Sequence, residues 1–313
     1  MSRFHVPRQN VFLRLDEIIK QLALPYQPLG LAFRYNLEST LSVVSVPFQL
    51  ASASAHHAHF QRFLIAERIR ARSINEVPGH DMPLENFREA EALKTARRRI
   101  VEFAASPKGM EVFIDDTSHF LLSGHVSTEL KPVAGQLIQQ GVIATWSAIE
   151  ILFRDVLETE LNLFPAKAVL LSQDGSTKKR FELDRLSVEI LATYNFDISK
   201  RLGTIVVGKQ DFSDIATARS AYVLLFPKSI DFIKNINDSN LYLLNQRRHL
   251  LVHRRGIIDQ KYLNKTSDSG EMGRMLELKP KDFEMHFDHV LKTGESLLYC
   301  LRECPESRGQ FSS

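Results

Sequence analysis

Residues Arg247 to Asp259 read RRHLLVHRRGIID, a short run holding four arginines and two histidines around an aliphatic centre. Histidine changes charge near neutral pH, so it suits proton transfer. Arginine stays charged and grips phosphate oxygens two at a time. On a helix, His249 and His253 stand at i and i+4 and share a face. Arg248 precedes His253 by five residues, so the two diverge by about 140° around the axis. A long arginine can still reach the lip of a cleft that His253 faces, while Leu250 and Leu251 pack on the other side. Arg254 and Arg255 fall in the last turn, where cations complement the negative end of the helix dipole. That structural reason serves Arg248, His249 and His253 less well. The Arg-x4-His spacing alone is weakly specific and occurs once in the chain. Its surroundings carry more information.

A helix must hold these residues, and its ends are legible. NDSN at 237–240 supplies N-cap residues at Asp238 and Ser239, and Gly256 stops the helix as a C′ glycine. Helical periodicity dominates elsewhere. Residues 133–164 predict a long helix with Ile138, Val142, Trp146, Ile149, Phe153 and Val156 on one stripe. Further helices are expected over 11–24, 56–75, 84–106, 183–199, 211–226, the short stretch IDFIKNI, and about 280–302, with LGTIVVGKQ between two of them. Residues 25–55 mix aromatic and β-branched residues with Gly30 and Pro47, which reads as a short strand pair or a loop-bound extended stretch. EVFIDDTSHFLLSG is compatible with a short strand or a helix. VPGHDMP at 77–83 reads as a linker. The expected division is an N-terminal segment, 1–83, of helical or mixed α/β character, and a mainly α domain, 84–313, with its motif region at 240–259.

Composition sets the bounds. At 44% hydrophobic and 25% charged residues, the 313-residue chain has an ordinary globular balance and can bury a real core. A net charge of +3 permits a nucleic-acid partner without arguing for one. Cys300 and Cys304 are four apart on a predicted helix and read as reduced, half-buried thiols, with no disulfide framework or zinc pattern. The N-terminus lacks the apolar run of a signal peptide, and no apolar run is long enough to span a bilayer. A cytoplasmic location with no membrane partner is expected.

The motif and its flanks resemble the HEPN (higher eukaryotes and prokaryotes nucleotide-binding) family. RRHLLVHRRGIID is similar to that family's R-x(4–6)-H motif, in which Asn, Asp or His commonly follows the arginine, as His249 does here. ATWSAIEILFRDVL at 144–157 resembles its first long core helix. Residues 191–226 resemble the segment leading to the motif helix, and residues 262–298 the trailing turn and last helix. The resemblance covers about 130–302, more than half the chain, and leaves 1–83 without a likeness. It implies a C-terminal HEPN-like helical bundle and a metal-independent endoribonuclease, in the manner of a toxin or phage-defence effector. No cofactor and no metal are implied. Arg248, His253 and His249 would be catalytic, Arg247, Arg254 and Arg255 would hold flanking phosphates of RNA, and two copies would pair their motif helices in a homodimer. An antitoxin or another regulatory protein is a further implied partner. The alternative is a non-catalytic HEPN module that binds nucleotide, RNA or protein.

Other candidates have plainer readings beside them. Glu150, on an otherwise apolar helix, either pairs with a cation of the motif helix in a supporting role or faces solvent at a boundary. Arg154 and Asp155 read as surface charges, Arg97–Arg99 as a solvated helix face, and Trp146 as core. HHAHF (His56, His57, His59) invites a zinc reading but lacks carboxylate or cysteine ligands at helical spacing. Phe283, Phe287, Val290 and Leu297 form an apolar stripe that suits either a dimer surface or the chain's own core.

Overall fold

The structure is a computed structural model that describes residues 8–75, 83–123, 130–183, 187–268 and 270–303. Among these residues every regular element is a helix; the one β-type pairing is an isolated antiparallel bridge between Ile257 and Met275. The protein is mainly α. In chain order the helices are α1 (Arg8–Val11), α2 (Leu13–Lys20), α3 (Gln27–Ala71), α4 (Leu84–Ala105), α5 (Pro107–Ser123) and α6 (Leu130–Leu163). Then follow α7 (Lys167–Gln173), α8 (Gly175–Arg180), α9 (Val188–Thr193), α10 (Leu202–Val207) and α11 (Ile215–Leu225). The chain closes with α12 (Ile230–Ile236), α13 (Ser239–Arg254), α14 (Gln260–Lys265) and α15 (Pro280–Glu303).

Several expectations change. Residues 27–55 lie within α3, not in strands or an extended stretch. Their β-branched and aromatic residues suit strands locally, yet Phe33, Leu37, Leu41, Val44 and Phe48 recur at a helical period and are all buried. Burial of that stripe outweighs propensity, and Pro47 is accommodated inside the helix. EVFIDDTSHFLLS is likewise helical, in α5. LGTIVV, expected as a connection, forms α10.

The chain divides into two compact units, residues 1–43 with 137–313, and residues 44–136. This division differs from a cut at 83; the linker reading at 77–83 lies outside the described residues except for Pro83. In the first unit, the N-terminal helices pack with the C-terminal ones. The Phe12 ring meets Phe287 edge-on at 6.2 Å, and Tyr26 donates a 2.5 Å hydrogen bond to the buried Glu160. Its core runs through Trp146 and Phe153 of α6, Tyr222 of α11, Phe232 of α12, and Phe283 and Phe287 of α15, all fully buried. Val290 and Leu297 are buried with them, so the stripe on α15 is intrachain core and offers no dimer surface. Cys300 is buried beside Ser229, at 2.7 Å; Cys304 lies outside the described residues.

Gly294 of α15 lets α3 approach closely. A Cβ there would stand 2.2 Å from Cε1 of Phe33, a ring only 1% exposed and unable to move aside cheaply. Gly294→Ala should therefore destabilise the fold by about 1–3 kcal/mol, read as a lower urea midpoint at unchanged slope. An unchanged midpoint would mean that the helices separate without penalty.

The second unit has a small core of Leu64, Ala71, Ala92 and Ala96. His59 lies 2.6 Å from Asp116 of α5 and packs on Phe103 and Phe113, while His56 stacks on Phe113. Folding thus brings His59 the carboxylate that the local sequence lacks, but among the described residues no three potential metal ligands gather. Of the basic run, Arg97 and Arg98 are exposed. Arg99 pairs with the buried Glu67 and covers the Phe63 ring.

Candidate functional site

Helix α13 is capped as its sequence dictates. The Asp238 carboxylate accepts from the Asn240 backbone N–H at 2.7 Å. At the other end Arg255 is left-handed (φ 52°) and Gly256 follows at φ 80°. The Gly256 N–H donates to Leu250 O at 3.1 Å, and the chain turns back. Leu276 N–H then donates to Gly256 O at 2.7 Å, and Ile258 N–H to Arg274 O at 2.9 Å. Leu250, Ile258, Tyr262 and Leu276 close into a small apolar cluster that fixes α14 beside α13.

This arrangement builds a groove of about 640 Å³. Asn245 of α13 donates to Ser213 O at 2.5 Å, tying one flank of the helix to the loop before α11. Leu250 ties the opposite flank to α14. Tyr242, Gln246 and His253 project between those flanks at helical spacing and form the floor. Asp211 and Asp214 line the groove from the loop, and Lys261 and Lys265 line it from α14. His249 joins His253 there: the rings stack with centroids 5.6 Å apart and planes 23° from parallel.

The structure brings the two histidines together and leaves Arg248 near His249 but outside the groove lining. Arg248 is 16% exposed and turns toward α6, where its Nη2 lies 3.8 Å from Glu150 Oε2. Glu150 also faces Arg154 at 3.6 Å. The Arg248 Nε is buried without a hydrogen-bond partner. The 140° divergence between positions 248 and 253 is thus realised, with the arginine side chain outside the residues lining the groove. Arg254 lines the groove, is exposed and lies 3.4 Å from Asp259, and Arg255 is exposed at the helix terminus.

Arg247 does not belong with them. It is buried, forks onto Asp268 at 3.0 and 2.8 Å, reaches Asp282 at 3.3 Å, and donates to His286 at 3.0 Å. Tyr262 also donates to Asp268. The Arg247 guanidinium is thus occupied by partners within the chain, an arrangement that serves the fold. At i−1 from Arg248 it faces another side of the helix, a difference that charge counting along the sequence does not register.

The groove shifts His249 and Asp211 the same way, downward, which favours a neutral ring beside an ionised carboxylate. Burial pushes the His249 ring down from the ordinary histidine value, the Arg248 cation and His253 push it further, and Asp214 and Asp211 oppose them. The Ser213 hydrogen bond holds the Asp211 carboxyl down despite burial, with Arg248 and His249 adding to it. In Arg248→Ala the His249 midpoint should rise, and in Asp214→Asn it should fall; ring-proton NMR titrations read both. A midpoint deaf to Arg248→Ala would place that guanidinium too far away to matter.

Sequence reasoning missed Asp211, Asp214, Tyr242, Gln246, Lys261 and Lys265. Asp214 had a local signal, since it caps α11 through Ala216 N–H at 3.0 Å. Nothing local announced that this cap faces His249. Fold and groove together define a mainly α protein bearing a stacked histidine pair in a groove of mixed charge. Compared with family models, curated proteins and solved structures, the chain finds no match.

Proposed function

We propose that this protein is a metal-independent endoribonuclease of the HEPN type. The observation that carries this reading is the stacked His249–His253 pair in an open groove flanked by Lys261, Lys265 and Arg254. RNA contains its own nucleophile. A histidine takes the proton of the 2′-OH, the 2′-oxygen bonds to phosphorus, and the bond to the 5′-oxygen breaks as that oxygen gains a proton. A 2′,3′-cyclic phosphate remains. His253 is exposed and free to meet substrate, whereas His249, partly buried and biased toward neutrality, suits the base. An arginine neutralises the phosphorane. In one chain Arg248 points away from His253, so the complete site calls for a symmetric homodimer in which Arg248 of one copy serves His253 of the other. A role as toxin or defence effector, with an antitoxin partner, follows from the family resemblance alone.

One observation favours the alternative of a non-catalytic HEPN module binding nucleotide, RNA or protein: Arg248 is already paired with Glu150. The test is simple. Purified protein should cleave single-stranded RNA in excess EDTA, leave 2′,3′-cyclic ends, and spare DNA, which lacks the attacking hydroxyl. A requirement for added Mg²⁺, equal cleavage of DNA, or no cleavage at all would reject the proposal.

A further inference from the structure

The groove carries more than a proton-transfer pair, and its parts are unevenly distributed. Cations come from α14, as Lys261 and Lys265, both exposed. Acceptors gather toward the other flank. Asp211 Oδ1 accepts from Ser213 N–H at 2.8 Å and Asp214 Oδ1 from Ala216 N–H at 3.0 Å, so each carboxylate is anchored by one oxygen and keeps further lone pairs. Gln246 is a third acceptor. It lines the groove and is 8% exposed, and its one hydrogen bond runs from Nε2 to Asn245 Oδ1 at 3.3 Å. Its carbonyl oxygen takes no hydrogen bond among the described residues and keeps access to solvent, so it is available to a ligand. Tyr242 adds an aromatic surface to the floor, steadied by Arg219 over its ring at 5.8 Å.

From these features we infer that the groove is a base-reading subsite selective for guanine, with the nucleotide's phosphate on the α14 side and its base on Tyr242 against Asp211, Asp214 and Gln246. This specifies the substrate of the ribonuclease reading and rests on it. Unpaired RNA bases are recognised by stacking on aromatic rings and by hydrogen bonds to their Watson–Crick edges. That edge of guanine presents two adjacent donors, N1–H and the N2 amino group, which match the two oxygens of one carboxylate. Adenine and cytosine each offer one amino donor beside a bare ring nitrogen, and uracil one N–H between two carbonyls. Carboxylates facing those lone pairs are repelled. The basic flank receives the phosphate by charge.

The experiment needs no turnover, so it separates this inference from the ribonuclease reading. Calorimetric titration of the full chain with 3′-GMP, 3′-AMP, 3′-CMP and 3′-UMP should show 3′-GMP bound roughly tenfold or more tightly than the others, the order of discrimination that a two-bond base contact gives. Asp211→Asn and Asp214→Asn should each erode that preference. Asparagine caps a helix as well as aspartate does at 214, and at 211 it keeps the oxygen that accepts from Ser213 N–H, so the fold survives while the charge and the paired acceptors go. Lys265→Ala should weaken all four nucleotides alike. Equal affinities, no measurable binding of any of the four, or a guanine preference untouched in both asparagine variants would overturn the inference. RNA cleaved in EDTA without preference for guanosine would overturn it as well, while leaving the nuclease standing.

Discussion

His253→Ala should lower RNA cleavage by about 10²–10⁴-fold, the range that a positioned proton-transfer group supplies. The side chain is exposed at the end of α13, and among the described residues no hydrogen bond or ion pair ties it to the fold; its neighbour is the His249 ring. Truncation therefore leaves the packing intact, and the melting temperature should stay that of the wild type. This separates chemistry from stability, which His249→Ala, in a partly buried position, would not. Arg248→Ala should cause a comparable loss if its charge reaches the phosphorane. If the site is shared between copies, a mixture of the inactive His253→Ala and Arg248→Ala chains should regain part of the activity, because one of the two composite sites in a mixed dimer is intact. Full activity in folded His253→Ala would remove that residue from the mechanism. Cleavage by a strict monomer, read by light scattering during turnover, would remove the shared site.

The largest stability effect is expected at Arg247. Deleting its guanidinium strands the Asp268 carboxylate, leaves Asp282 without its cation and takes a donor from the buried His286. Removing one partner of a buried ion pair typically costs about 3–5 kcal/mol, because the remaining charge stays desolvated. Arg247→Ala should therefore lower the urea midpoint strongly, with RNA affinity falling only as folded protein is lost. A variant that keeps its midpoint and loses RNA affinity would favour the phosphate-holding role instead. The same cluster sets an acid limit. Burial first, then the Arg247 cation, push His286 down to about 3 from an ordinary 6.5. The unfolded chain thus takes up a proton there before the folded one does, and stability declines as pH falls from about 6.5 toward 3. Asp268 acts in the same direction: burial alone would raise its carboxyl, but Arg247 and Tyr262 outweigh burial and hold it below its usual value. Its contribution is present above the ordinary carboxylate range and is lost as pH falls through the lowered folded value. Denaturation midpoints across that window should fall in the wild type; a flat profile would mean that the cluster is open to water.

Local rules determined the motif helix. Asp238 at the start, Gly256 past the end and the leucines between leave one way to fold residues 239–254, and they place His249 above His253 whatever surrounds them. The stripe from Ile138 to Val156 determined α6 for the same reason, since one period satisfies both backbone and burial. Other features were decided only in three dimensions. Residues 27–55 carry strand-like side chains, and only the partners waiting along Phe33, Leu37 and Leu41 make the helix the better burial. The two neighbouring arginines 247 and 248 look alike in sequence. One is turned by the helix into a nest of carboxylates around Asp268 and the other toward Glu150, and their roles follow from which partners the fold brings to each side. Asp211 and Asp214 lie more than thirty positions before His249 in sequence, and their presence beside it depends on Asn245 pinning their loop to α13. Helix ends and stripes are short-range properties that neighbouring residues specify. Which charges meet in a groove is a long-range property, fixed once the core has packed and burial has ranked the partners available to each polar group.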